Sequence, residues 1–317
     1  MKLFLVLLLA ALPAFAQQGK VWKIGVFGGS PAMQSISAEF IKGMAERGYV
    51  QGKNVEYVQR IGDGTAETAQ RLARELVAAK VDLLWSPGTL TTTALRKATA
   101  TLPIVFSQVS DPVGVGLVQS LARPGGNATG LTNMNVESGA KRVELLDEIF
   151  PNLKRVGVLH NPTDMASVAQ LAVVAPSLLE RKKEMMLAQV SSTEQFAAAF
   201  ESLAQWRADA IIILENALTV AHRKALIELA TRHRWPTINS WDGFAEAGGV
   251  ISYGSSWSGL ARRSAIHVDK ILKGAKPAEL PVERPTQFEL IVNLKAAKAI
   301  GLSIPRTVMM RADRVIE

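Results

Sequence analysis

Residues 110–133 read SDPVGVGLVQSLARPGGNATGLTN. The stretch opens on Asp111-Pro112 and closes around Pro124-Gly125-Gly126-Asn127, with a short apolar run of no strand period between them. Strand and helix patterns alternate on both sides of it, so it divides two similar halves. Glycine and proline turn a chain sharply at defined points, because one frees the backbone and the other fixes it. The stretch is therefore read as a passage between two lobes. Asp111-Pro112 ends a strand, and Val113–Arg123 forms a short helix or turn. Pro124–Asn127 then bends the chain, and Ala128–Asn133 runs across the hinge. On this reading Asp111 borders a ligand and Asn127 is structural.

Upstream, VWKIGVF (21–27), NVEYVQ (54–59), VDLLW (81–85) and PIVF (103–106) read as strands, separated by helices over 31–47, around Ala69–Leu76, and from near Thr91. Downstream the pattern restarts. Helices are expected over 137–149, 165–181, around Phe196–Ala204, and over 220–232, 258–273 and 294–300. Strands are expected at 155–159, 184–190, 210–214, 236–239, 250–253 and 288–292, followed by a tail. Two successive runs of this kind predict an α/β fold with two Rossmann-like lobes, each a parallel sheet flanked by helices.

The 317 residues are 48% hydrophobic and carry a net charge of +8 without any block of like charges. A diffuse basic excess reads as a solvated surface rather than a nucleic-acid patch. The first sixteen residues, MKLFLVLLLAALPAFA, combine Lys2, an apolar run too short to span a bilayer, and Ala14-Phe15-Ala16, which predicts a secretory signal peptide cut before Gln17. The chain has no cysteine, so neither disulfides nor a lipidated cysteine are available. A periplasmic location follows from these features.

Ligands of parallel sheets gather at the carboxyl ends of the strands. Here those ends repeat one pattern, a small polar residue followed by proline: Ser30-Pro31, Ser86-Pro87-Gly88-Thr89, Ser107-Gln108-Val109-Ser110-Asp111-Pro112 and Asn161-Pro162. Helix capping alone accounts for such pairs. The same caps and glycines also suit a cleft that binds a carboxylate through helix N–H groups. Asp111, Glu215 and Asp242 are candidates to meet a ligand ammonium, although caps and surface carboxylates have the same appearance. Trp241, Tyr253 and Trp257 fall near strand ends, where aromatics either stack on ligands or fill core. The four histidines are scattered, and no H-E-x-x-H, G-x-S-x-G or phosphate-loop motif occurs.

Several segments resemble the periplasmic solute-binding proteins of ABC transporters, in the group related to tryptophan-binding members. They are GMAERGYVQGKNV (43–55), DPVGVGLVQSLARPGGNATGLT (111–132), KRVELLDEIFP (141–151), FAEAGGVISYG (244–254), VDKILKGAKPAELPVERPTQFELIVNLKAAKAIGLSIP (268–305) and RADRVIE (311–317). The resemblance spans nearly the whole chain after residue 16. It implies a type I periplasmic binding protein with three hinge crossings, no enzymatic activity and no cofactor. Lobe 1 would comprise 17–130 plus about 256–285, and lobe 2 would comprise 131–255 plus about 286–317. The implied partners are a small solute, an amino acid (aromatic ones included) or related small carboxylate, and a membrane permease with its ATPase, the protein acting as a monomer. Ser30, Gly88, Thr89 and Asn161 would then donate to the ligand carboxylate. Ser107, Gln108 and Asp111 would face it from lobe 1, Glu215 and Asp242 from lobe 2, with Trp241 and Tyr253 on its apolar part. Two alternatives stay open: an exported protein that reports ligand to a membrane receptor, and an exported enzyme on the same scaffold.

Overall fold

The computed structural model describes residues 20–317; the expected signal peptide lies outside them. The first half contains β1 (Trp22–Gly28), α1 (Gln34–Ala45), β2 (Val55–Ile61), α2 (Ala66–Ala78), β3 (Leu83–Pro87), α3 (Thr89–Ala98), β4 (Ile104–Val109) and β5 (Ala128–Thr132). These strands form one parallel sheet in the order β2-β1-β3-β4-β5. The second half contains α4 (Gly139–Ile149), β6 (Arg155–His160), α5 (Met165–Glu180), β7 (Glu184–Gln189), α6 (Phe196–Gln205), β8 (Ala210–Ile213), α7 (Ala217–Ala221), α8 (Arg223–Arg232), β9 (Thr237–Asn239), α9 (Asp242–Glu246) and β10 (Ile251–Gly254). Its strands β7-β6-β8-β9-β10 repeat the order of the first sheet.

The repeat extends to single residues. Asp82, just before β3, accepts a hydrogen bond from the Lys23 N–H at 2.8 Å. Asp209, just before β8, accepts from the Lys154 and Arg155 N–H groups at 2.9 and 2.8 Å. In each lobe an aspartate thus ties the entry of a central strand to its neighbour. Both central strands are buried along their length, because helices cover both faces of the sheet.

The chain then returns to the first lobe as α10 (Trp257–Leu272), which packs on α1. The Trp85 indole donates to Ser264 Oγ at 2.7 Å, and Phe40 stacks on Trp85 at 4.2 Å. After α10 the chain pairs with the edge of the first sheet: Glu283 N–H donates to the Gly130 carbonyl and Thr132 N–H to the Glu283 carbonyl. It crosses back to form β11 (Glu289–Asn293), α11 (Leu294–Ala299), α12 (Arg306–Met309) and β12 (Arg314–Ile316), and β11 and β12 extend the second sheet. Strand β11 runs antiparallel to β10. β10 ends at the hinge and β11 begins there, so the two must run in opposite directions.

Local expectations change in four places. Ala128–Thr132 is a strand rather than a hinge run, and the crossing falls at 133–138. Gly130, at φ 151°, lies so close to β4 that a Cβ would meet the Phe106 carbonyl. The single helix expected over 220–232 is two, because His222 leaves the helical conformation at φ −108°. Asp242–Glu246 forms a short helix that the sequence reading did not anticipate. The supposed tail forms α12 and β12. Among the described residues no helix is long and apolar enough to cross a membrane.

The α1–α10 contact supplies a direct test. A Cβ on Gly43 would sit 2.4 Å from the Arg262 carbonyl. Gly43→Ala is expected to force the helices apart and cost about 1–3 kcal/mol, read as a lower melting temperature.

Candidate functional site

In a sheet of this strand order the loops after the first and third strands leave on opposite sides and open a crevice. The two lobes present these crevices to each other. One space lies between them.

The first lobe contributes Gly29-Ser30 after β1, Pro87–Thr91 at the start of α3, and Trp257 at the start of α10. Ser30 is buried, and its hydroxyl has no hydrogen-bond partner among the described residues. Gly88 is the N-cap of α3, at φ 83°, and makes no side-chain cap bond. The first-turn N–H groups of α3 therefore face the cleft without an internal cap. Thr91 Oγ1 is committed elsewhere, donating to the Pro87 carbonyl at 2.6 Å. Trp257 is buried and stacks on Trp241 at 5.2 Å, so an aromatic of one lobe rests on one of the other.

The second lobe contributes Asp164, Glu215, Asn216, Ala217 and Val220. Asp164 caps α5, accepting from Ser167 N–H at 2.9 Å. Burial raises its pKa, against the pull of that bond. Glu215 follows β8 and accepts from Asn135 Nδ2 at 2.7 Å. Burial first, and then the Asp164 carboxylate, push its pKa up to about 8; Asn135 and Arg142 oppose the rise. Arg142 is itself buried, which lowers its pKa to about 10. Asp164 and Glu215 are the charged side chains of the cleft wall among the described residues.

Of the residues expected from sequence, Ser30, Gly88, Thr89 and Glu215 line this space. The others lie elsewhere. The Ser107 hydroxyl donates to Gln108 Oε1, and Gln108 Nε2 donates to the Trp257 carbonyl at 2.6 Å. Both are turned into the fold, where Gln108 fixes the cleft tryptophan. Asn161 Oδ1 is taken up by the Thr163 N–H and hydroxyl at 3.0 and 2.8 Å. Asp111 accepts from Gly114 N–H at 2.8 Å and borders an outer groove with Pro162 and Met165. Trp241 stands behind Trp257 rather than on the cleft. Asp242, at the start of α9, is raised to about 6 chiefly by burial. Tyr253 stacks on Phe288 at 5.9 Å. Asn127, expected to be structural, donates to the Thr99 and Leu102 carbonyls at 3.2 and 2.7 Å.

Asp164, Asn216 and Trp257 are among the cleft residues that were not expected from sequence. Asp164 had a signal, an Asp three residues before Ser167 at a helix start. Trp257 missed the expected helix boundary by one residue. No group of three or more His, Asp or Glu residues suited to a metal occurs among the described residues.

Residues 23–316 match the family of ABC transporter substrate binding proteins. The chain belongs to this family. It is a substrate-binding protein, not an enzyme. It is 26% identical over 273 residues to the tyrosine-binding protein of Clostridioides difficile strain R20291, covering 86% of this chain and 78% of that one. It resembles an ABC domain from Streptococcus pneumonia in complex with L-Trp, with TM-score 0.87, 27% identity and coverage of 94% and 100%. It also resembles a ligand-free, open substrate binding protein with adhesive properties from Clostridium difficile, with TM-score 0.66, 25% identity and coverage of 93% and 99%.

A buried glutamate in a substrate-binding protein has a thermodynamic signature. Glu215 ionises near its ordinary pKa of 4.5 in the unfolded chain and near 8 in the fold. Between those values the folded state holds the extra proton, so raising the pH destabilises it. Asp164 adds a slope of the same sign. Ligand-free wild type is expected to lose stability from pH 5 to pH 8. Glu215→Gln should retain more of it, as denaturant titrations at several pH values would show.

Proposed function

We propose that this substrate-binding protein captures an α-amino acid with an aromatic side chain, and presents it to the membrane permease and ATPase of an ABC importer. The observation that carries the reading is the division of charge across the cleft. On one wall stand Asp164 and Glu215; on the other stand an uncapped helix N-terminus and the unpartnered Ser30 hydroxyl. A zwitterion matches both walls at once. Its ammonium meets the acids, and its carboxylate meets the N–H groups of Thr89 and Leu90 together with Ser30. Trp257, Met33 and Val220 line the remaining wall and suit an apolar side chain.

The relatives support the same class of ligand, since one is named for tyrosine and another was solved with L-Trp. The higher TM-score to the L-Trp complex than to the open, ligand-free protein fits a structure with closed lobes. In this reading lobe 1 comprises 17–130 plus about 256–285, lobe 2 comprises the rest, and the protein works outside the cytoplasm after removal of residues 1–16. Closure follows because a ligand gains both sets of contacts only when the lobes meet.

A thermal-shift screen of the twenty amino acids, aromatic acids without an amine, aromatic amines without a carboxylate, sugars and nucleosides tests this. An aromatic amino acid should raise the melting temperature, and neither of its two truncated analogues should match it. Equal binding of the acid without its amine, or a response confined to sugars or nucleosides, would sink the proposal. Ser30→Ala should weaken binding of the amino acid by about tenfold, corresponding to the loss of one hydrogen bond to a charged group.

A further inference from the structure

The passage between β5 and α4, residues 133–138, is wired to the cleft. Asn135 N–H donates to Asn133 Oδ1 at 3.1 Å, and Met134 between them holds φ at 50°. The Asn133 carbonyl accepts from Ser255 Oγ at 3.3 Å, which joins this crossing to the next one, after β10. The Asn135 carbonyl accepts from Arg142 Nη2 at 2.8 Å, and Arg142 Nη1 donates to Ser138 Oγ at 2.8 Å. The backbone of Asn135 is therefore fixed on several sides. Its amide reaches Glu215, which lines the cleft.

That amide is half used. Nδ2 donates to Glu215 Oε2 at 2.7 Å, while Oδ1 is buried and has no partner among the described residues. An ionised carboxylate only accepts hydrogen bonds, whereas a protonated one also donates. An amide rotated half a turn exchanges its donor and acceptor ends. Asn135 therefore has a complementary face for each charge state of Glu215. Leucine would serve neither, and aspartate would add a third acid.

We propose that capture of an ammonium-bearing ligand expels one proton from Glu215, and that Asn135 is the positioning residue that serves this carboxyl in both charge states. The step balances: the Glu215 O–H bond breaks, its proton goes to solvent, and the carboxylate left behind pairs with the ligand ammonium, which keeps its own protons. The inference rests on the amino-acid reading above.

The surroundings favour the proton in the empty cleft. Asp164 faces Glu215 from the start of α5, and Arg142, on α4, is the cation that opposes its protonation. Gln170, on α5, engages only the Glu215 backbone, at 2.7 and 3.2 Å. The first-lobe wall brings Ser30, Thr89, Thr91 and Trp257 but no charged side chain among the described residues. Buried and with a carboxylate for a neighbour, Glu215 remains protonated until about pH 8. A ligand cation supplies the missing charge, and ionisation follows.

Calorimetry of the whole protein with L-tryptophan and L-tyrosine, in buffers of differing ionisation enthalpy, measures the proton directly. Wild type should release about one proton per ligand near pH 6.5 and progressively fewer towards pH 9. Glu215→Gln should bind more weakly and release markedly less. Asn135→Ala should weaken binding about tenfold at pH 6.5, with the deficit narrowing by pH 9, where Glu215 ionises without help. Binding by wild type without proton release overturns this inference and leaves the amino-acid reading standing. An Asn135→Ala deficit equal at every pH assigns Asn135 a structural role alone and overturns its part. Failure of both amino acids to bind overturns the amino-acid reading and this inference with it.

Discussion

Two five-stranded parallel arrays of identical strand order must each part their loops at one place, and here the two partings face each other. That constraint decides where every cleft residue comes from. β1 and β3 deliver Ser30 and Gly88 from one side; β6 and β8 deliver Asp164 and Glu215 from the other. Because the walls come from separate lobes, each carries its own electrostatic character. The wall with the exposed helix N-terminus lacks a charged side chain among the described residues, and the wall with two carboxylates lacks an exposed cation. Neither wall is balanced alone, which is the ground for proposing a dipolar guest.

The hinge is part of the same design rather than a passive link. Helix α10 leaves the second lobe through Ser255 and begins with Trp257, whose carbonyl is held by Gln108 of the first lobe. The Trp257 ring meets Trp241 of the second. The returning strand pairs with β5 before it crosses to β11. Any change in the angle between lobes must therefore act on residues that also shape the pocket. Closure and ligand contact are coupled through ordinary packing, without a separate relay.

The alternation of strands and helices was legible in the sequence because buried parallel strands are short continuous apolar runs. AIII at β8 and LLW at β3 leave little else to choose. The ends of elements were less legible. Ala128–Thr132 contains two threonines and a glycine, and only its position beside β4 makes it a strand. Ser30, Gly88, Thr89 and Glu215 line the space because topology alone sends strand-end residues to the switch point. Three others are placed differently for one reason. Asn161, Gln108 and Asp111 stand in the right loops, but local hydrogen bonds turn their polar groups inward or along the chain. Sequence gives the loop, whereas orientation depends on which partner a side chain reaches first.

A carboxyl sealed from water lowers stability when ionised, and two of them side by side are worse. A fold selected for stability alone would replace Glu215 with a neutral residue that accepts the Asn135 amide equally well. Its presence makes sense if the empty protein tolerates the acid as a protonated group and the occupied one uses it as an anion. The cost is then borne where the ligand is absent and offset where it is present, so binding strength and selectivity for a cationic group share one origin. A guest of the same shape without an ammonium would leave Glu215 protonated and gain no ion pair, so it would be held less tightly without any steric block.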